Sequence, residues 1–197
     1  STLILSQAIE QLDTPPRVWI QMSTAHIYGD PPSSICDEHS ALGYGLAPDI
    51  GRAWENAFYA APLAGVRKVA FRTSFVMGKT GGALQTMKRL VRFRMGGRVG
   101  HGKQGISWIH QNDLNKLIHE AIINPTMIGT YIATAPNPVS NAEFMKTLRE
   151  TMRISFGLRQ PEFLVNFGAK YVLKTDASLI IYGRYCRSSR LENEGFD

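Results

Sequence analysis

Leu5, Ala8, Ile9 and Leu12 recur at three- and four-residue spacing, so the chain opens on a helix with one apolar stripe. Asp13-Thr14-Pro15-Pro16 ends it. Residues 18–22 are a short run of β-formers and predict a buried strand. Residues 29–49 follow as an irregular stretch with three prolines and three glycines, the kind of long loop that often carries function. Residues 50–61 predict a helix carrying Trp54 and Glu55, and residues 66–71 a second strand. Leu84, Met87, Leu90 and Val91 share one helical face, with Lys88, Arg89 and Arg92 turned away from it.

A glycine-rich loop at 96–105 and an extended piece at 106–110 come next. Leu114, Leu117, Ile118, Ala121 and Ile122 give the clearest amphipathic helix, capped near Asn112 or Asp113 and ended by Asn124-Pro125. Residues 130–135 predict a third strand, and Ser140-x-x-Glu143 is a capping box before a helix with Phe144, Leu148 and Met152. After Arg159 the pattern is helical and irregular, with Phe163, Leu164, Phe167, Tyr171 and Leu173. Strands alternating with helices place the chain in the α/β class with a parallel sheet. Ligands of such sheets sit at the carboxyl ends of the strands, here just after Met22, Phe71 and Ala135.

Composition narrows the class. At 197 residues and 44% hydrophobic, the chain is long and apolar enough for one domain with a small appendage. No run approaches the length of a membrane span, and no signal peptide stands at the start. A start without Met, inside a helical pattern, suggests a piece of a longer protein. Cys36 and Cys186 lie too far apart for a disulfide framework or a zinc pattern, which fits a reducing, cytoplasmic setting. The five histidines form no H-E-x-x-H motif, so no metal site is expected.

Charge is uneven. The net charge is +6, yet the interval between Glu55 and Asp113 holds ten basic residues and no acidic one. That points either to an anionic partner or to a solvated helix face neutralised from elsewhere. Gly100-His-Gly-Lys-Gln-Gly105 has the letters of a dinucleotide fingerprint but follows a loop rather than a strand, so it reads as coincidence. Gly78-Lys79-Thr80 lacks the upstream glycine of a P-loop, because Thr73 stands there.

Five segments carry a resemblance: Ser23-Thr24-Ala25-His26-Ile27-Tyr28-Gly29-Asp30; Arg72 to Gly78 followed by Gly81-Gly82-Ala83-Leu84; Ser107 to Leu114; Ala133 to Phe144; and Ser189 to Phe196. In this order they resemble the extended short-chain dehydrogenase/reductases, and within them the atypical epimerase family with its bacterial epimerase/dehydratase-like relatives. The resemblance implies a Rossmann-like doubly wound sheet whose first βα units, with the phosphate-binding glycine loop, lie outside this chain. Residues 1–136 would be the C-terminal part of the dinucleotide-binding domain, with 81–105 reaching over the substrate. Residues 137–197 would form a smaller, mostly helical subdomain.

The resemblance also assigns roles. A Ser or Thr at the first strand's end binds the substrate oxygen in that superfamily; Thr24 matches by distance from Gly29, and Ser23 matches the narrower family better, where it also faces the cofactor. A hydroxyl there can donate and accept, which suits carbonyl–alcohol interconversion; a plain strand-end Ser-Thr pair is the other reading. The superfamily's Tyr-x-x-x-Lys pair falls on Ala47 and Gly51, which cannot do its work. Tyr44 is followed four positions on by Pro48, and Tyr28 is either a substitute proton carrier or a buried structural tyrosine. Arg72, Thr73 and Val76 match the segment lining the nicotinamide, although Arg72 could equally be an ion-pair partner. Arg92, Arg94, Arg98 and Lys103 match the region that meets an anionic, phosphorylated or nucleotide-linked substrate.

Three functions follow. The first is an NAD(P)-dependent epimerase or reductase, with NADP(H) or NAD(H) bound weakly or not at all by this chain alone. The second is a non-catalytic cofactor-binding relative. The third, a nucleic-acid binder, has few aromatics among its basic residues to support it. The oligomeric state is left open.

Overall fold

The computed structural model describes residues 2–31, 35–161, 165 and 183–196. The chain runs α1 (Thr2–Glu10), β1 (Val18–Thr24), a 3-10 turn (Ala25–Tyr28), β2 (Ile35–Cys36), α2 (Leu46–Tyr59), β3 (Arg67–Thr73), β4 (Phe75–Met77) and α3 (Gly82–Arg92). It continues through β5 (Gly105–Ile106), β6 (Trp108–His110), α4 (Gln111–Ile123), β7 (Gly129–Ala133), β8 (Val139–Ser140), α5 (Asn141–Thr151), β9 (Tyr185–Cys186) and α6 (Ser189–Asn193). The apolar pattern after Arg159 that includes Phe163, Leu164, Phe167, Tyr171 and Leu173 lies outside the described residues.

β1, β3 and β7 form one parallel sheet in that order, as the alternation of strands and helices requires. One face packs on α4 through Val69, Phe71, Leu114, Leu117, Ala121 and Tyr131. The other packs on α1 and α2 through Ile9, Trp19, Phe58 and Ala70, where Trp19 and Phe58 meet edge to face at 4.8 Å. Smaller pairings extend the fold: β4 with β6 and β2 with β9 in parallel, β5 with β8 antiparallel.

Helix boundaries depart from the sequence pattern at two instructive places. Helix α2 begins at Leu46 rather than at residue 50, because Pro48 falls in the first turn, where its missing N–H leaves no bond unmade. Helix α4 is capped by His110, whose ring accepts from Asn112 N–H at 3.2 Å, not by Asn112 or Asp113. Asp113 sits in the first turn instead, 3.0 Å from Lys116 Nζ. The Ser140 cap is as expected, with its hydroxyl accepting from Glu143 N–H.

The outer edge of β7 is closed by a side chain. Glu38 Oε1 accepts from Ile132 N–H at 2.8 Å, while Oε2 accepts from Ser189 N–H and Ser189 Oγ, both at 3.0 Å. One carboxylate thus stands in for a neighbouring strand and also anchors α6. Burial works against its charge, but the hydrogen bonds from Ser188, Ile132 and Ser189 hold the Glu38 carboxyl below its ordinary range. At the opposite end of the sheet, β1 is an edge strand among the described residues, and Leu3, Ile4 and Leu5 of α1 are exposed.

Candidate active site

β1 and β3 run in parallel with Ser23 opposite Arg72 and Thr24 opposite Thr73, so both strand tips end on one shared rim. Beyond the tips the chain breaks away into the 3-10 turn and into Ser74-Phe75, and a cavity opens between them.

Behind the rim lies a buried polar network. Arg72 binds Glu55 through two hydrogen bonds, Nε to Oε1 at 2.9 Å and Nη2 to Oε2 at 2.7 Å. Ser23 Oγ donates to the same Oε1 at 2.6 Å, and Arg72 Nη1 donates to the Tyr28 hydroxyl at 2.7 Å. Ser23, Glu55, Arg72 and Tyr28 are all buried. The bidentate geometry satisfies the charges that burial would otherwise penalise. Burial opposes the Arg72 charge, yet Glu55 and Tyr28 outweigh it and the guanidinium stays protonated. Burial also pushes the Tyr28 phenol well above its ordinary value, against the pull of Arg72. The ion-pair reading of Arg72 is therefore the one its geometry carries, and the Ser23 proton is already engaged.

Thr24 is placed differently. Its Oγ1 accepts from His26 N–H at 3.1 Å and lies 3.2 Å from His26 Nδ1, while the His26 ring lines the cavity. Thr73 Oγ1 donates to the Ser23 carbonyl at 3.2 Å, and Val76 sits in β4 opposite Ile109. Tyr44 points into solvent at 92% exposure, far from a role at the rim. Its loop is pinned where Gly43 crosses Gly29 so closely that a Cβ on Gly43 would fall 2.6 Å from the Gly29 backbone.

Gly51 explains the missing lysine. A Cβ there would stand 3.2 Å from Ile27 Cβ and 3.3 Å from Thr24 Cγ2, so α2 rests its backbone directly on the strand tip. The residue that sequence reasoning passed over is Glu55. The buried positions of α2 are Pro48, Gly51, Glu55 and Phe58, at spacings of three and four. A carboxylate on that stripe signals a buried cationic partner.

The basic stretch does not converge on the cavity. Arg92, Arg94 and Lys103 are exposed, Arg94 lies over the Phe156 ring, and Arg98 Nη1 donates to the His101 carbonyl at 2.9 Å. The Gly100–Gly105 run precedes β5 and opens no helix, so it is not a dinucleotide fingerprint. Cys36 and Cys186 are brought together as opposite partners on β2 and β9, both as buried free thiols. Among the described residues no group of three or more candidate ligands could hold a metal ion, and no helix is long and apolar enough to cross a membrane.

Comparison with known proteins places the fold. The chain is 32% identical over 182 residues to the epimerase family protein SDR39U1 homolog, chloroplastic, of Arabidopsis thaliana, covering 92% of the chain and 51% of that protein. It is 31% identical over 195 residues to an epimerase family protein of Mycobacterium leprae, covering 99% of the chain and 62% of that protein. The crystal structure of human epimerase family protein SDR39U1 (isoform 2) with NADPH superposes with a TM-score of 0.90 at 25% identity, covering 100% of the chain and 65% of the human one. The chain thus spans between half and two thirds of the length of these relatives. No protein-family model matches it. With this fold and these relatives, the chain belongs to the epimerase family within the short-chain dehydrogenase/reductases.

Proposed function

We propose that the chain forms the nicotinamide- and substrate-facing part of an NAD(P)-dependent reductase or epimerase. The observation that carries this reading is the paired rim: Ser23-Thr24 beside Arg72-Thr73, at the carboxyl ends of parallel strands, opening onto a cavity. The human relative was solved with NADPH, in keeping with it.

The residues present fit the nicotinamide end of such a cofactor. Thr24 and Thr73 put small hydroxyls at the rim, and Glu55 of α2, bonded to Ser23 of β1 and Arg72 of β3, ties down both strands that carry them. The glycine-rich turn that leads from β4 into α3, Gly78-Lys79-Thr80-Gly81-Gly82, lacks the G-x-G-x-x-G spacing that would cradle a pyrophosphate. When bound, the nicotinamide supplies or removes a hydride. Thr24 holds the substrate oxygen through its hydroxyl, and the neighbouring His26 ring is placed to exchange a proton with that hydroxyl. Tyr28 stays a phenol and holds Arg72 in place.

Saturation-transfer NMR on NADPH mixed with the chain tests this reading. The nicotinamide protons should receive more saturation than the adenine protons. Stronger adenine than nicotinamide saturation overturns it, as does no saturation at millimolar NADPH in the full-length protein.

A second reading, a cofactor-binding relative without turnover, rests on the seating of Gly51 where the superfamily places its lysine. Reduction of any carbonyl probe that is lost in Thr24→Ala would exclude it.

A further inference from the structure

The cavity beyond the rim has a volume of about 430 Å³, within the range of small-molecule sites (roughly 300–1,000 Å³). Helix α3 contributes Ala83, Thr86, Met87 and Leu90, one face at helical spacing. Its basic residues Arg89 and Arg92 do not line the cavity. Met145 of α5, Met95, Val99, Ile106 and Phe75 complete an apolar wall.

The amides along the lining are turned to the backbone. Asn141 Oδ1 accepts from Val99 N–H at 2.8 Å, Gln104 Nε2 donates to the Val99 carbonyl at 3.1 Å, and Gln160 Nε2 donates to the Met95 carbonyl at 3.0 Å. They hold the 95–104 loop, with Gln104 Oε1 left buried and without a hydrogen-bond partner among the described residues. Ser107 fixes the last wall, donating to the Arg184 carbonyl at 2.9 Å and accepting from Cys186 N–H at 2.8 Å. Arg184 is the one charged side chain among the described lining residues.

From this lining we infer that the cavity takes a compact, largely apolar carbonyl compound, or the alcohol it interconverts with, and not a nucleotide-linked or diphosphate-bearing substrate. Two phosphates need several cations or clustered N–H donors, and the described lining offers a single guanidinium. Three methionines supply an adaptable, polarisable wall suited to an alkyl or aryl body. The oxygen of such a ligand belongs at the His26–Ser74 end, where the cavity meets the strand tips.

The inference rests on the reductase or epimerase reading, and its test is separable from it. Methyl-labelled methionine spectra of the chain would be titrated with decan-2-one and, separately, with UDP-glucose. Decan-2-one should shift the Met87, Met95 and Met145 methyls saturably, with UDP-glucose leaving them in place. Met145→Trp, which fills the space, should weaken the ketone by at least about tenfold. Leu90→Lys, on the cavity face of α3, should do the same if the tryptophan variant fails to fold. Shifts of these methyls by UDP-glucose, or no selective shift by the ketone, overturn the inference. If the ketone fails while NADPH still shows nicotinamide saturation, only the substrate class falls; ketone shifts together with stronger adenine than nicotinamide saturation remove the cofactor reading and leave an apolar ligand site.

Discussion

Glu55 holds Arg72 by both carboxylate oxygens across a helix–strand contact and takes the Ser23 hydroxyl as a third partner. Both side chains of the pair are 9% exposed, so neither charge has water to fall back on. Removing one partner leaves the other desolvated and alone. Arg72→Met or Glu55→Leu should therefore lower unfolding stability by about 3–5 kcal/mol, whereas the double variant should lose clearly less. Urea unfolding of the three variants checks this. Additive losses would mean the pair is not coupled.

Tyr28→Phe separates a structural from a proton-carrying tyrosine. Loss of the bond to Arg72 should cost about 1 kcal/mol. In the native chain the phenol titrates above its ordinary value of 10.0, so its contribution to stability is complete below that pH and declines as pH rises past it. Native stability should thus fall more steeply in the alkaline limb than that of Tyr28→Phe. Identical alkaline limbs would contradict the burial of the phenol.

Glu38 governs the acid limb. Its folded pKa lies below the unfolded one, so the stability it adds is present above the ordinary glutamate range and is lost as pH falls through the folded value. Glu38→Ala leaves Ile132 N–H and Ser189 N–H without their acceptor, at a cost of about 2–3 kcal/mol. Hydrogen exchange at Ile132 should rise first. Unchanged exchange there would show that β7 does not need the carboxylate.

The thiols report on the small β2–β9 pairing. Cys36 is 4% exposed and Cys186 is fully buried, so iodoacetamide should modify neither in the native chain and both after unfolding. Prompt native labelling of Cys36 would place β2 elsewhere.

The main sheet was legible in the sequence because its signals are local. Runs of β-formers around Val18, Val69 and Tyr131, separated by amphipathic helices, leave little choice but parallel order. That the tips of β1 and β3 end side by side was legible too, since parallel neighbours finish at the same edge of a sheet. What escaped was everything set by contact across the chain. Glu55 acquires its meaning from Arg72 on another element, and Cys36 meets Cys186 across 150 positions. The basic stretch suggested an anion site, yet its residues are divided: Arg72 is buried against Glu55, whereas Arg92, Arg94 and Lys103 are exposed. Helix starts were missed by several residues where a proline or a histidine acted at a terminus.

The close seating of α2 on the strand tip sets a bound on redesign. Writing tyrosine at 47 and lysine at 51 would reproduce the spelling of the superfamily's proton relay but not its room, since the lysine stem would have to displace Ile27 and Thr24. An engineer seeking that chemistry in this scaffold must first trim Ile27 or Thr24, the side chains that a Cβ at 51 would crowd, and leave α2 where Glu55 still reaches Arg72.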